Sequence, residues 1–214
     1  MESPLCQDVP AGTRLIETFR FVPGAGVARL HLHLARLKHS AQALGFAFSE
    51  TDVLRAVEAL EATTDLRCRL TLGAAGDVEI TTAEMPAAAT KPWVCRIHPD
   101  RLSSADQLLQ HKTTRRAFYD AARAELPEGV QEWLFFNERG ELCEGTITNL
   151  VLTMEDGVRL TPPVASGCLP GVYRQSLIEA GALREAVLSE ADLFSAQALH
   201  LTNALRGEIP AVVK

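Results

Sequence analysis

The stretch AEMPAAATKP, residues 83–92, most limits how this chain can fold. It is low in complexity and interrupts every hydrophobic period, which is typical of a linker. On both sides of it, short strand patterns alternate with helix patterns. The mixture of hairpins and crossover helices predicts an α+β fold built from two α/β subdomains, residues 1–90 and 91–214.

The first half predicts two strand pairs and two helices. TRLIETFRF (13–21) and VARLHL (27–32) flank the turn PGAG and predict one strand pair, and LRCRLTLG with DVEITT predicts another. HLARLKHSAQALGF changes to a helical period that stops at Gly45. Ser49, followed three residues later by Asp52, predicts the start of a second helix.

The second half predicts several short strands and three helices. The strands are WVCRIH, EWLFFN, GELCE, TNLVLTM and ALHLTN. The helices lie near 115–125, from Val172 to Ala180, and near 190–195.

Composition excludes several classes of function. A formal net charge of -6 disfavours binding to nucleic acid, which relies on neutralising phosphates. No run approaches the roughly 20 apolar residues of a membrane helix, and MESPLCQDVP lacks the features of a signal peptide. The five scattered cysteines form no CxxC pair, and His31 and His33 lie two apart at a predicted strand end. We therefore expect a cytoplasmic protein with no metal site.

Lys112 is the lysine best placed for chemistry. The chain has only four lysines, and a desolvated lysine amine can form a Schiff base, whereas arginine stays protonated. Lys38 lies on the polar side of a helix, Lys91 lies in the linker and Lys214 is the last residue. Only Lys112 falls at a predicted strand-to-helix junction. The alternative is an ordinary solvated lysine.

Three other features can serve a ligand. Glu144, in ELCEGTITNL, can pair with a ring nitrogen or a metal, or can be a turn residue. SGCLPGVYRQSLIEA leads a glycine-containing loop into a helix whose first N–H groups suit a phosphate, although such loops are also common capping structures. Arg36 can reach inward as an anion ligand or lie on a helix surface.

Together these segments resemble the class IV aminotransferase family, the fold-type IV pyridoxal-phosphate (PLP) enzymes with the D-amino-acid aminotransferase-like architecture. The resemblance runs from about residue 15 to 211, in the order ETFRF, HLARL, HKTTRRAFYDAA, NERGELCEGTITNLVL, TPPVASGCLPGVYR and LTNALRGEIPA. HKTTRR and LTNALRG are most similar to aminodeoxychorismate lyases.

The resemblance implies a role for each residue in binding pyridoxal 5'-phosphate. Lys112 matches the lysine that binds PLP covalently, Glu144 the carboxylate on the pyridine nitrogen, and Arg36 the phosphate-binding arginine. The remaining matches are backbone donors or the last loop of the cofactor site, namely Val172, Tyr173, Asn203 and Ala204. Tyr173 stands where a smaller hydroxyl residue is common. Fewer residues precede ETFRF than in most members, so we expect part of the substrate wall or of the dimer contact to differ.

The resemblance leaves three functions open. The first is a lyase that converts aminodeoxychorismate to pyruvate and 4-aminobenzoate; the second is an aminotransferase of branched-chain or D-amino acids; the third is a non-catalytic PLP-binding or scaffold relative. A lyase substrate with two carboxylates would need extra donors, for which the candidates are Arg115, Arg116, Asn203 and Arg206. The resemblance also implies a small-molecule amine substrate and a homodimer.

Overall fold

The computed structural model describes residues 9–214, which divide into two compact units. Unit 1 comprises the described part of Met1–Ala87 together with His111–Arg115, and unit 2 comprises Ala88–Gln110 and Arg116–Lys214. The predicted division after residue 90 assigned Lys112 to the second subdomain. The structure instead groups its segment with unit 1, because that segment pairs with the first strand. Cys6 and the start of the chain lie outside the described residues.

Unit 1 is a four-stranded antiparallel sheet with two helices. Its strands are β1 (Leu15–Val22), β2 (Gly26–Val27), β3 (Leu66–Leu72) and β4 (Val78–Glu84), in the order β2-β1-β3-β4. The helices are α1 (Leu30–Leu44) and α2 (Glu50–Glu58). The predicted hairpin β3–β4 is confirmed, as is the start of α2, where the Ser49 side chain accepts the N–H of Asp52 at 3.3 Å.

The start of α1 differs from the prediction. VARLHL was expected to be a strand, but β2 ends at Val27 and α1 begins at Leu30. Arg29, at the N-cap, has φ 59 and turns the chain through the left-handed region. The alternating pattern is strand-like, but the helix buries His33 and Leu37 on one face. His31 and His33 therefore lie on a helix rather than at a strand end.

Unit 2 is built on an eight-stranded mixed sheet in the order β10-β9-β8-β11-β12-β5-β6-β7. The strands are β5 (Trp93–Ile97), β6 (Glu132–Phe136), β7 (Leu142–Gly145), β8 (Asn149–Thr153), β9 (Arg159–Thr161), β10 (Arg184–Glu185), β11 (Ala198–Asn203) and β12 (Gly207–Val213). The helices are α3 (Ala117–Ala124), α4 (Val172–Glu179) and α5 (Glu190–Ser195). β5 pairs in parallel with both β6 and β12.

The main core of unit 2 lies on one face of this sheet. Leu150 and Leu152 of β8, together with Leu201 of β11, are fully buried there against Leu188 and Leu193. Because side chains alternate along a strand, residues such as Asn149 and Thr202 point to the opposite face. Among the described residues, no helix has the length and apolarity needed to cross a bilayer.

Candidate active site

Lys112 lies on a short extended segment held against β1 in unit 1. The Ile16 N–H donates to the Lys112 carbonyl at 2.7 Å, and the Thr114 N–H donates to the Arg14 carbonyl at 2.9 Å. Leu15 and Thr113 form an antiparallel bridge between these bonds. The backbone on both sides of Lys112 is therefore fixed by main-chain pairing, which restricts where its half-buried side chain can reach.

The residue before Lys112 is anchored to α1. The Nδ1 atom of His111 lies 3.0 Å from the Ser40 hydroxyl, and its ring stacks on that of His39 with centroids 5.8 Å apart. Burial, and then the neighbouring His39, lower the pKa of His111. The lysine segment is thus joined to unit 1 by a side chain as well as by its backbone.

Arg36 points inward and is held by Glu17. Its Nε and Nη2 atoms donate to the two Glu17 oxygens at 2.8 and 2.6 Å, and His33 Nδ1 lies 2.6 Å from the same carboxylate. Burial alone would raise the pKa of Glu17, but Arg36 and His33 outweigh it and lower the pKa to about 2. The side-on edge of the guanidinium is therefore occupied by a carboxylate, and Arg36 is not a helix-surface residue.

Glu144 lies near the end of β7 in unit 2, where the residue is 6% exposed. One oxygen accepts the Tyr119 hydroxyl at 2.7 Å, and the other accepts the Leu169 N–H at 2.9 Å. Burial, followed by the Glu144 charge, raises the pKa of Tyr119 far above its usual range. Tyr119 therefore remains a hydroxyl donor, and Glu144 is held in one orientation.

The N-terminus of α4 carries no side-chain cap. Gly171 is the N-cap in extended conformation, followed by Val172 and Tyr173 in the first turn. Asn149 donates to the Leu169 carbonyl at 2.8 Å, and a Cβ on Gly171 would overlap the Asn149 side-chain oxygen. Glycine is needed at position 171 because the Asn149 side chain lies where a Cβ atom would be. The geometry leaves a helix N-terminus suited to an anion.

The turn after β11 carries the other predicted cofactor residues. The Asn203 side-chain oxygen accepts the N–H groups of Leu205 and Arg206 at 3.2 and 2.8 Å, so it caps the turn that contains Ala204. The Arg206 guanidinium lies over the Trp93 ring, 5.5 Å from its centroid. Both side chains therefore have structural partners.

Tyr173 also belongs to this part of unit 2. A Cβ added to Gly207 would lie 3.5 Å from a ring carbon of Tyr173, so the α4 terminus packs against the end of the Asn203 turn. The two backbone regions predicted to bind cofactor are therefore adjacent.

The two predicted arginines after Lys112 differ. Arg116 donates to Asp120 at 2.8 Å and to the Thr146 carbonyl at 3.2 Å, and it lies over the Tyr119 ring at 5.9 Å. Arg115 is exposed, and its backbone N–H donates to the Thr113 hydroxyl at 3.1 Å. Arg116 is thus part of the Glu144 and Tyr119 surroundings, whereas Arg115 faces solvent.

Several residues that orient the candidate site were not predicted from the sequence. Glu132, fully buried on β6, accepts hydrogen bonds from the turn between β7 and β8, and Glu17 and Tyr119 orient predicted site residues. A charged residue directly before the apolar run WLFF is the one signal that could have identified Glu132. The described part of the chain holds no group of three or more His, Cys, Asp or Glu residues suited to a metal ion.

Comparisons with known proteins agree with this architecture. The family model for amino-transferase class IV matches residues 14–212. The crystal structure of a candidate amino-acid aminotransferase from Mesorhizobium loti is 45% identical, with a TM-score of 0.87 over 94% of this chain and 100% of that chain. A candidate aminodeoxychorismate lyase of Schizosaccharomyces pombe is 26% identical over 183 residues, covering 81% of this chain and 79% of that protein.

A more distant structure has the same fold. A hypothetical aminotransferase from Mycobacterium tuberculosis, solved in its PLP-bound form, is 21% identical with a TM-score of 0.84, over 95% of this chain and 82% of that chain.

Proposed function

Because this chain belongs to the class IV amino-transferase family of enzymes, we propose that it binds pyridoxal 5'-phosphate covalently through Lys112. The fixed backbone of the Lys112 segment and the other lysine positions support this assignment. The enzyme is either aminodeoxychorismate lyase-like or a class IV aminotransferase.

The donor set in unit 2 fits this cofactor. Glu144 offers an oriented, buried carboxylate of the kind that keeps a pyridine nitrogen protonated, and this observation carries the proposal. The uncapped N-terminus of α4 offers backbone N–H groups at Val172 and Tyr173 for a phosphate. We assign the turn at Asn203 and Ala204 to the same group, because Gly207 at its end packs against Tyr173.

We propose that Arg36 binds the phosphate of the cofactor. The guanidinium has five N–H donors, and Glu17 engages its Nε and one Nη2 hydrogen. A guanidinium is well suited to pairing with an anion such as phosphate. This role also follows from the family resemblance.

PLP, when bound, supplies a conjugated ring that accepts the electron pair released beside the substrate amine. Glu144 holds a proton on the pyridine nitrogen and so strengthens that ring as an acceptor. The Lys112 amine would take the proton from the carbon beside the substrate amine as general base. Lysine suits both tasks because its amine can be deprotonated, unlike a guanidinium.

We propose that the substrate is aminodeoxychorismate. The C–H bond next to the amine and the C–O bond to the enolpyruvyl group break, and the electron pair of the C–H bond completes the aromatic ring. The products are 4-aminobenzoate and pyruvate, whose methyl group takes up a proton, so no oxidant is required. The similarity to the Schizosaccharomyces pombe protein along most of both chains supports this substrate.

The alternative is an amino-acid aminotransferase, favoured by the 45% identity to the Mesorhizobium loti protein. In that reaction Lys112 would act as general acid after acting as general base. The structural partners of Arg206 and Asn203 also reduce the donors available for a second substrate carboxylate.

Product analysis separates the two reactions. PLP-loaded protein is incubated with aminodeoxychorismate, and separately with L- and D-amino acids plus a 2-oxo acid. The lyase releases pyruvate and 4-aminobenzoate in equal amounts without accumulating pyridoxamine phosphate. Rapid pyridoxamine phosphate formation from a simple amino acid, without lyase products, would assign the protein to the aminotransferases.

The covalent site is tested by borohydride reduction and peptide mapping. We expect one pyridoxyl label, on Lys112. Labels on Lys38 or Lys91 with none on Lys112 would refute the assignment.

We also propose a homodimer, as the family resemblance implies. Light scattering of the PLP-loaded protein should give twice the chain mass of 23.2 kDa. A stable, active monomer would contradict it.

A further inference from the structure

The hydroxyl of Thr202 on β11 is buried without a hydrogen-bond partner among residues 9–214. The residue is 1% exposed, so little solvent reaches it. By contrast, the buried hydroxyl of Thr161 donates to the Leu150 carbonyl at 2.7 Å. A buried hydroxyl that lacks a partner is destabilising, and native proteins contain few of them. The Thr202 hydroxyl therefore has a hydrogen-bond donor that a ligand or a water molecule can use.

The sheet register directs Thr202 toward the face that carries the α4 terminus. Thr202 lies opposite Asn149 on β8, and Cβ atoms of such pairs are typically about 4.5–5.5 Å apart. Asn149 contacts the backbone at Gly171, the N-cap of α4, and α4 itself packs against β11. The hydroxyl and the uncapped helix terminus thus belong to the same side of unit 2.

The acidic residue opposite Thr202 is already paired with an arginine, so its repulsion of an anion is reduced. Its other cross-strand neighbour is Glu208 on β12, whose carboxylate is paired with Arg159 at 2.6 Å. Ala204 has no hydroxyl to offer, and the Tyr173 ring packs beside Gly207. Thr202 is therefore a small hydroxyl residue on this side whose donor has no acceptor among residues 9–214.

We infer that the Thr202 hydroxyl donates a hydrogen bond to the phosphate of the bound cofactor, alongside the backbone N–H groups at the start of α4. The inference rests on the proposed function, since it takes PLP as the ligand. The uncapped helix terminus and the unpartnered hydroxyl are separate observations that indicate the same kind of ligand.

The test compares Thr202→Val with Thr202→Ser in the full-length apo protein. Equilibrium titrations measure the affinity for PLP, for pyridoxal without phosphate and for inorganic phosphate, and thermal unfolding measures apo stability. Because a hydrogen bond to a charged group is lost, Thr202→Val should bind PLP and phosphate about tenfold more weakly. Its pyridoxal affinity should not change. Its apo melting temperature should stay the same or rise, since an unpartnered hydroxyl has been removed.

Thr202→Ser keeps the hydroxyl and should restore most of the PLP affinity. Thr161→Val is the matched control, because it removes a buried hydroxyl that has an internal partner. It should lower the apo melting temperature and leave PLP affinity unchanged.

The outcomes distinguish this inference from the function it rests on. Unchanged PLP affinity in Thr202→Val, with wild-type protein labelled at Lys112, would overturn the inference alone. So would a fall in apo stability as large as that of Thr161→Val, because the hydroxyl would then have a partner within the protein. Failure of the wild-type chain to bind PLP would overturn the proposed function as well.

Discussion

The carboxylate of Glu132 on β6 accepts both the backbone N–H of Thr146, at 3.0 Å, and its hydroxyl. The same carboxylate accepts the Ile147 N–H at 3.3 Å and the Thr148 hydroxyl at 3.1 Å. One fully buried group therefore holds the whole turn that follows Glu144. The Thr146 carbonyl of that turn accepts a hydrogen bond from Arg116, and the Ile147 carbonyl accepts one from Asn203. The turn therefore links two predicted site residues.

Glu132→Gln should destabilise the turn. The amide replaces one acceptor oxygen by a donor, which then faces N–H and hydroxyl groups in a buried site. We expect the free energy of unfolding at neutral pH to fall by about 2–4 kcal/mol. Urea denaturation measures this, with the exposed Glu128→Gln as a control that should change little. Equal midpoints for the two variants would show that the turn does not depend on the carboxylate.

Glu17 should make stability depend on pH in the acid range. Its pKa is lowered from the ordinary value of 4.5 to about 2. Between these values the unfolded chain binds more protons than the folded one, so stability falls as the pH drops. The contribution is present above about 4.5, and roughly 3 kcal/mol of it is lost on reaching pH 2.

The pH profile of Glu17→Gln checks this expectation. At neutral pH the variant should be less stable than wild type, because Arg36 loses its charged partner. The difference should shrink steadily below pH 4.5, since the variant has no proton to gain there. A difference that is constant from pH 7 to pH 2 would contradict the lowered pKa.

Gly171→Ala should disturb the α4 terminus through Asn149. The added Cβ would overlap the Asn149 side-chain oxygen and lie 3.1 Å from its Cγ, so one of the two must move. We expect a loss of about 1–3 kcal/mol in stability and weaker PLP binding. Asn149→Ala removes the obstructing oxygen, so the double variant should be less destabilised than the sum of the two single variants. Strict additivity in urea denaturation would exclude the clash.

Glu144→Gln should retain PLP and lose most turnover. The substitution removes the charge that keeps the pyridine nitrogen protonated, while the phosphate donors of α4 are untouched. Absorbance after dialysis measures the bound cofactor, and product release measures turnover. Full activity would refute the assigned role.

Tyr119→Phe should weaken turnover without expelling the cofactor. It removes the hydroxyl that donates to Glu144 at 2.7 Å, a bond to a charged acceptor, so we expect turnover to fall about tenfold. The absorbance band of bound PLP should shift as the Glu144 orientation relaxes. Phe118→Leu is the control on the same helix, because it changes a ring that packs on Tyr119 but keeps the Tyr119 hydroxyl. An unchanged spectrum and rate in Tyr119→Phe would separate the tyrosine from the site.

The sequence was sufficient for the family and for most of the secondary structure. The predicted class IV aminotransferase family and α+β fold are confirmed. Local periodicity failed at VARLHL, where the helix is favoured because it buries His33 and Leu37 within unit 1. β12 was not predicted. It contains Pro210, which is unusual inside a sheet, and its pairing with β5 joins residues far apart in sequence.

The candidate site was predictable only in part. The roles of Lys112 and Glu144 stay predictions. Hydrogen bonds nevertheless fix the backbone at Lys112 and the carboxylate of Glu144. The partners that orient such residues, including Glu17, Tyr119 and Glu132, could not be derived from local patterns. Their contacts join side chains many positions apart, and the register of strands determines them.

The pairing of the Lys112 segment with β1 affects the order in which parts of the protein fold during synthesis. A chain emerges from the ribosome beginning with its N-terminus, and domains generally fold as they appear. Here residues 88–110, which belong to unit 2, must be synthesised before His111–Arg115 can reach the edge of β1. Until then β1 exposes the Ile16 N–H and the Arg14 carbonyl. The N-terminal sheet is therefore completed late, by the segment that carries the lysine.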